Sequence, residues 1–163
     1  MNKPAVKMHL LETENVGDMN GLLEILEDIG KTVDIATLDD SLDEERSTLL
    51  NLLNDAEALG FVDVSKGEVT LKPMGKKYVT AEVDKRKSIL KSILANVEPF
   101  YSVIKTMKES RDAKMSMEDL QNLTGDMFPS DDPESIVKIL MNWGRYARLI
   151  DFDSDEDEFS ISS

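Results

Sequence analysis

The chain has no cysteine. That absence excludes disulfides, thiolate metal sites and thiol nucleophiles, and it fits a reducing compartment. Histidine is almost as scarce, with His9 the single one among 163 residues. Hydrolase triads and zinc sites built on several histidines are thereby excluded. No G-x-x-x-x-G-K-[ST] or G-x-G-x-x-G segment occurs, so neither type of phosphate cradle is present. Aromatic residues make up only 6%, and Trp143 is the one tryptophan. Aliphatic side chains and nine methionines must therefore fill the core, Met107, Met115, Met117, Met127 and Met141 among them. No apolar run approaches the ~18 residues of a membrane span. Met1-Asn2-Lys3-Pro4 opens no signal-peptide core. We read a soluble, cytoplasmic, non-enzymatic protein with no metal and no cofactor.

Base is also in short supply overall, at a net charge of −14, but its distribution is uneven. Residues 12 to 65 carry fifteen acids against Lys31 and Arg46. Residues 66 to 91 reverse the balance with eight bases, including Lys72, Lys76, Lys77, Lys85, Arg86 and Lys87. Residues 149 to 163 carry six acids and no base. A basic island thus lies between acidic regions. It reads as an exposed face that pairs with acids of this chain or of a partner. Contact with phosphates or with an anionic membrane surface is the competing reading.

Hydrophobic periodicity supplies the architecture. Residues 1 to 17 are polar and aperiodic, and read as a flexible leader. Leu22, Leu23, Ile25, Leu26 and Ile29 form a helical stripe that Gly30 closes. Residues 32 to 35 read as a short strand and 36 to 42 as a second helix. Asp43 is expected to cap a third, with Leu49, Leu50, Leu52, Leu53, Ala56 and Leu59 on its buried face. Val62 and Val64 alternate outward and Val69 and Leu71 return, with Ser65-Lys66-Gly67 as the turn of a hairpin. Pro73 and Gly75 lead into a helix through about residue 83.

The second half repeats the plan. Residues 85 to 109 look helical, broken near Pro99. Ser116 opens a short helix through Leu123 by a capping box. Asp131 or Asp132 caps the next, with Pro133 in its first turn. Its apolar stripe is Ile136, Val137, Ile139, Leu140, Trp143, Tyr146 and Ala147. A second hairpin closes the chain: Ile150-Asp151-Phe152 matches Val62-Asp63-Val64, and residues 158 to 161 match 68 to 71. Three helices followed by a hairpin is the order of a winged helix. The fold expected is α+β, mostly α, with a leader (1–17), a first winged-helix module (18–84), and linker helices with a second module (85–163).

Few residues invite chemistry. Asp151, Asp153, Asp155 and Asp157 have the spacing of a calcium loop, but Glu156 stands where glycine is needed and Ser162 where glutamate is needed. They read as the solvent face of a strand. Winged helices that read DNA place the helix before the wing in the major groove. Here that helix carries Asp43, Glu44, Glu45, Asp55 and Glu57 against Arg46, and phosphates would repel it. Arg145 and Arg148 sit at the wrong end of the second such helix.

The segment Trp143-Gly144-Arg145-Tyr146-Ala147, followed by Leu149-Ile150 and Asp151-Phe152-Asp153, resembles the end of the C-terminal AAA-associated domain. Further echoes are Ala58-Leu59-Gly60-Phe61, Leu71-Lys72-Pro73-Met74-Gly75 and Asp84-Lys85-Arg86-Lys87. Lys72 replaces the family's threonine. The resemblance spans about residues 19 to 161. That family is found behind the ATP-binding subunit of archaeal and bacterial nitrate/sulfonate/bicarbonate-type ABC transporters. No ATPase precedes the domain in this sequence, so nucleotide binding does not carry over; the chain is either a stand-alone member, as Met1 suggests, or a piece of a longer one. The resemblance implies a regulatory or protein-interaction domain whose partner is an ABC transporter ATPase or a second copy of itself. Candidate partner contacts are Trp143, Arg145, Tyr146, Lys76, Lys77 and Arg86, although Trp143 reads first as core packed under its own hairpin and only second as a partner hot spot. A winged-helix DNA-binding transcriptional regulator is the alternative. A small-molecule sensor with a pocket near Trp143 and Phe100 is a second.

Overall fold

A computed structural model describes residues 7–42 and 45–162, with Lys7 and Met8 described in backbone only. It is mostly helical, with two small antiparallel sheets and one two-stranded parallel pairing. Strand β1 (Lys7–Leu10) opens the described chain, followed by helix α1 (Val16–Ile29). The Asn15 side chain accepts from the Gly17 N–H to cap α1, and Gly30 ends it in the left-handed region. Val16, Met19, Leu22, Leu23 and Leu26 recur at helical spacing and are buried. Strand β2 (Val33–Asp34) runs directly into α2 (Ile35–Ser41), because Asp34 ends the strand and caps the helix. Helix α3 (Arg46–Ala58) buries Leu49, Leu52, Leu53 and Ala56. The expected cap Asp43 lies outside the described residues. Strands β3 (Val62–Ser65) and β4 (Glu68–Leu71) form the first hairpin. Its two-residue turn has positive φ at both Lys66 and Gly67, the geometry a tight right-twisted hairpin requires.

Helix α4 (Pro73–Thr80) starts at proline, as expected, and stops before residue 83 because Ala81 turns extended. Helix α5 (Val83–Leu94) follows. The long helix expected over 85 to 109 is broken earlier than Pro99: Val97–Glu98 is strand β5, pairing parallel with β1. Helix α6 (Phe100–Glu109), strand β6 (Lys114–Ser116) and helix α7 (Met117–Met127) come next. Ser116 caps α7, accepting from the Asp119 N–H at 3.0 Å. Helix α8 (Pro133–Tyr146) is capped by Asp132, and β7 (Ile150–Asp153) and β8 (Glu158–Ile161) form the second hairpin.

The two halves repeat down to single backbone hydrogen bonds. The sheets have the orders β2-β4-β3 and β6-β8-β7. Val62 pairs with Leu71 and Val64 with Val69; Ile150 pairs with Ile161 and Phe152 with Phe159. The Phe61 N–H donates to Ala56 at 2.9 Å, and the Leu149 N–H to Gly144 at 2.8 Å. The Lys72 and Ser162 N–H groups donate to the Phe61 and Leu149 carbonyls, both at 2.9 Å. Gly60 and Arg148 occupy the same left-handed position, at φ 85° and 59°.

The expected flexible leader is the main correction for residues 7 to 17. Strand β1 joins β5, and Leu11 is buried with Thr13 beside it. Polarity misled the reading here, since backbone groups and a caught carboxylate, rather than an apolar stripe, hold this segment. The buried side chains form one core that draws on both halves.

Candidate functional site

The segment from His9 to Val16 runs between α3 and α8 and is held by both. Asp55 is fully buried on α3. Its carboxylate accepts the Glu12 N–H at 3.2 and 3.1 Å, the Thr13 N–H at 2.7 Å, and lies 2.7 Å from His9 Nε2. Trp143 is fully buried on α8, and its Nε1 donates to the Thr13 carbonyl at 2.9 Å. When Val62 is superposed on Ile150, Asp55 and Trp143 fall at the same position of the repeat. One takes the Thr13 N–H and the other supplies its C=O. The Val16 N–H donates to Asn142 Oδ1 at 2.7 Å, and Glu14 reaches Ser135 at 2.6 Å and Lys138 at 3.8 Å.

Beside this strap lies an open groove of about 810 Å³, lined by Glu14, Asn15, Lys138, Met141, Asn142, Arg145, Tyr146 and Asp151. Arg145 is exposed, and its guanidinium has no hydrogen bond or ion pair among the described residues. Tyr146 is half-buried. Its hydroxyl meets Asn20 Nδ2 at 3.4 Å, and the Lys87 ammonium sits 5.0 Å from its ring centre. Behind it, the Tyr78 hydroxyl donates to Asn20 Oδ1 at 2.6 Å. Burial pushes the Tyr78 phenol well above its ordinary value, and the neighbouring Tyr146 adds to the shift.

The run Trp-Gly-Arg-Tyr-Ala now has a reason at each position. Trp143 and Ala147 are core. Gly144 lets α8 meet the hairpin, since a Cβ there would lie 2.6 Å from Ile150 Cγ1. Only Arg145 and Tyr146 face the groove. A model of the C-terminal AAA-associated domain matches residues 36–153. The chain belongs to that family. No curated protein and no solved structure matches it. The family match begins inside α2, so the strap and α1 lie outside it although they complete its core.

Of the other candidate contacts, Trp143 offers no surface to a partner. Arg86 is largely enclosed: its guanidinium donates to the Val79 carbonyl at 2.6 Å, meets Glu24 at 3.3 Å and packs over the Tyr78 ring. Both are structural within this fold. Lys76 and Lys77 are exposed on α4, and Lys76 borders a separate pocket with Lys31, Thr32 and Thr70. The sequence reading missed Asp55, Thr13, Asn20 and Asn142. Asp55 had a visible signal, because it shares the buried stripe with Leu52 and Ala56, where an acid is out of place. Asp153 also has a local role, its Oδ1 accepting the Asp155 and Glu156 N–H groups at 2.9 and 3.3 Å to shape the hairpin tip.

Proposed function

We propose that this member of the C-terminal AAA-associated domain family is a non-enzymatic regulatory or protein-interaction domain, cytoplasmic, that docks on an ABC-type ATPase. In this reading the repeated units are two winged-helix-like modules, fused by the strap into one binding body. The observation that carries it is the division of labour on α8. Trp143, Gly144 and Ala147 serve the core, while Arg145 and Tyr146 stand on an open groove. The family's name supports an ATPase as the partner.

Two observations weigh against the alternatives. The helices that would enter DNA are α3 and α8, and the strap is bonded to both. Trp143 and Phe100, the centre of a sensor pocket, are fully enclosed by core side chains. Absence of a membrane-crossing helix among the described residues fits a domain that reaches a transporter through its ATPase. The test is co-purification of the tagged full chain with an ABC ATP-binding subunit produced in the same cells. Recovery of the subunit supports the reading. Recovery of duplex DNA in its place, with a steep salt dependence, overturns it.

A further inference from the structure

We infer that the α8 groove accepts a short acidic segment of a partner protein, seated by Arg145 with an apolar side chain over Met141 and Tyr146. The inference rests on the interaction reading above and adds the chemistry of the partner.

The repeat provides an internal control for what the fold itself needs. The position of Arg145 in the first half is occupied by Glu57, and Glu57 accepts the Val64 N–H of its own hairpin at 3.1 Å. Arginine cannot accept that bond. The second hairpin closes without it, and the Arg145 guanidinium is left unpaired among the described residues. It is therefore not a scaffold group. Arg46, Arg86 and Arg148 each meet an acid within 4 Å, at 3.7, 3.3 and 2.9 Å, whereas Arg111, like Arg145, meets none among the described residues but lines no pocket described above.

The surroundings hold charges of both signs, most of them already paired. Lys138 lines the groove one helical stretch away, Lys87 lies over the Tyr146 ring, and Arg148 follows the helix end. Of the nearby acids, Glu14 is engaged by Ser135 and Lys138, and Asp84 by Arg148. Asp151 is the remaining acid on the groove wall and sets one end of it. Lys138 and Arg148 are thereby taken up by Glu14 and Asp84, and of the two lining cations Arg145 is the one without an acid partner among the described residues. A planar guanidinium with free donors matches a carboxylate bidentately. Met141 and the Tyr146 face beside it offer an apolar seat, and arginine with tyrosine is the composition of binding hot spots. A volume of about 810 Å³ lies within the range of sites that enclose small ligands or a few side chains. The net negative charge acts against long polyanions, whose field extends past the groove.

Fluorescence anisotropy with a fluorescein-labelled peptide of alternating Glu and Phe, beside its Lys-Phe counterpart, tests this on the full chain. The acidic peptide is expected to bind and the basic one not. Arg145→Glu should weaken binding at least ~10-fold, or about 1.4 kcal/mol. Arg145→Lys should retain part of it, because the charge survives and the fork does not. Raised salt should weaken it. Because Arg145 is exposed, thermal unfolding of both variants should match the parent. Equal binding of the two peptides, or unchanged binding by Arg145→Glu, overturns the inference. So does tighter Arg145-dependent binding of duplex DNA or phosphatidylserine vesicles. An ATPase that still co-purifies with Arg145→Glu, alongside a peptide that does not bind, leaves the interaction reading standing and removes this one. Peptide binding with no ATPase recovered does the reverse.

Discussion

The two halves of the molecule use the same backbone to different ends. Helices α3 and α8 present equivalent positions to the Thr13 peptide, one as the buried Asp55 carboxylate and the other as the Trp143 indole. Further along, Glu57 closes its own hairpin where Arg145 faces an open groove. The first hairpin turns on Lys66-Gly67, the second on an acidic tip shaped by Asp153. At these matched positions the first half uses Asp55 and Glu57 to hold the fold, whereas the second uses Trp143 for that and leaves Arg145 on the groove. A duplicated scaffold can thus divide anchoring from recognition without changing its hydrogen-bond framework.

The anchoring half should suffer most from losing its polar contact. Asp55→Ala strands two backbone N–H groups in a buried place and removes a charge-assisted acceptor, so it should cost about 3–5 kcal/mol. Trp143→Phe keeps most of the ring and loses one bond to the Thr13 carbonyl, at about 1–2 kcal/mol. Urea denaturation of the two variants measures both. Equal losses would mean that the strap is held symmetrically, and the contrast would fail.

Exchange at the next shared position probes packing. Gly144→Ala drives a Cβ toward Ile150, whose Cγ1 and Cδ1 would lie 2.6 and 2.8 Å away, and overpacking of this kind costs about 1–3 kcal/mol. Ala56→Gly at the equivalent site should lose about 1 kcal/mol from backbone entropy alone. At the exposed pair, Glu57→Ala should lose about 0.5–1 kcal/mol with its bond to Val64. Arg145→Ala should stay within about 0.5 kcal/mol of the parent in thermal melts. A destabilised Arg145→Ala would show that the groove arginine also serves the fold.

Much of this architecture is written in period and punctuation. The stripes of α1, α3 and α8, the Pro133 start, and the alternation of both hairpins follow from apolar spacing and turn chemistry and appear where those signals stand, except that Leu50, expected on the buried face of α3, is exposed. The strands β5 and β6 are too short for a period to register. The strap escaped for a different reason. Leu10 and Leu11 are its only large apolar pair, and its hold depends on backbone groups meeting Asp55, Trp143 and Asn142, which are far away in the chain. For the candidate site, the Trp-Gly-Arg-Tyr-Ala run lies on α8, the helix that lines the groove. Spacing places Trp143 and Tyr146 on one apolar stripe but cannot tell that Trp143 is enclosed while Tyr146 is half-buried at a groove, because that depends on how far around α8 the strap and hairpin reach.

The smallest difference between the halves concerns the strand residue that caps the following helix. Asp34 accepts the Thr37 N–H at 2.7 Å, and bonds from Thr37 hold its carboxyl below the ordinary value of 3.8. Ser116 does the same service for α7 without a titrating group. A carboxylate whose folded pKa is depressed contributes stability above the unfolded value and loses it as pH falls through the folded one. Helix α2 should therefore loosen below about pH 3.8 while α7 keeps its cap. Asp34→Ser should remove that part of the acid sensitivity, and Ser116→Asp should introduce it on the other side. Backbone amide exchange at Thr37 and Asp119, followed from pH 5 downward, reads the two caps separately. The pattern expected is acid-dependent opening at whichever position carries the aspartate. Parallel behaviour of the two amides in the parent chain would show that the second half is acid-sensitive for other reasons, and that the caps do not distinguish the halves.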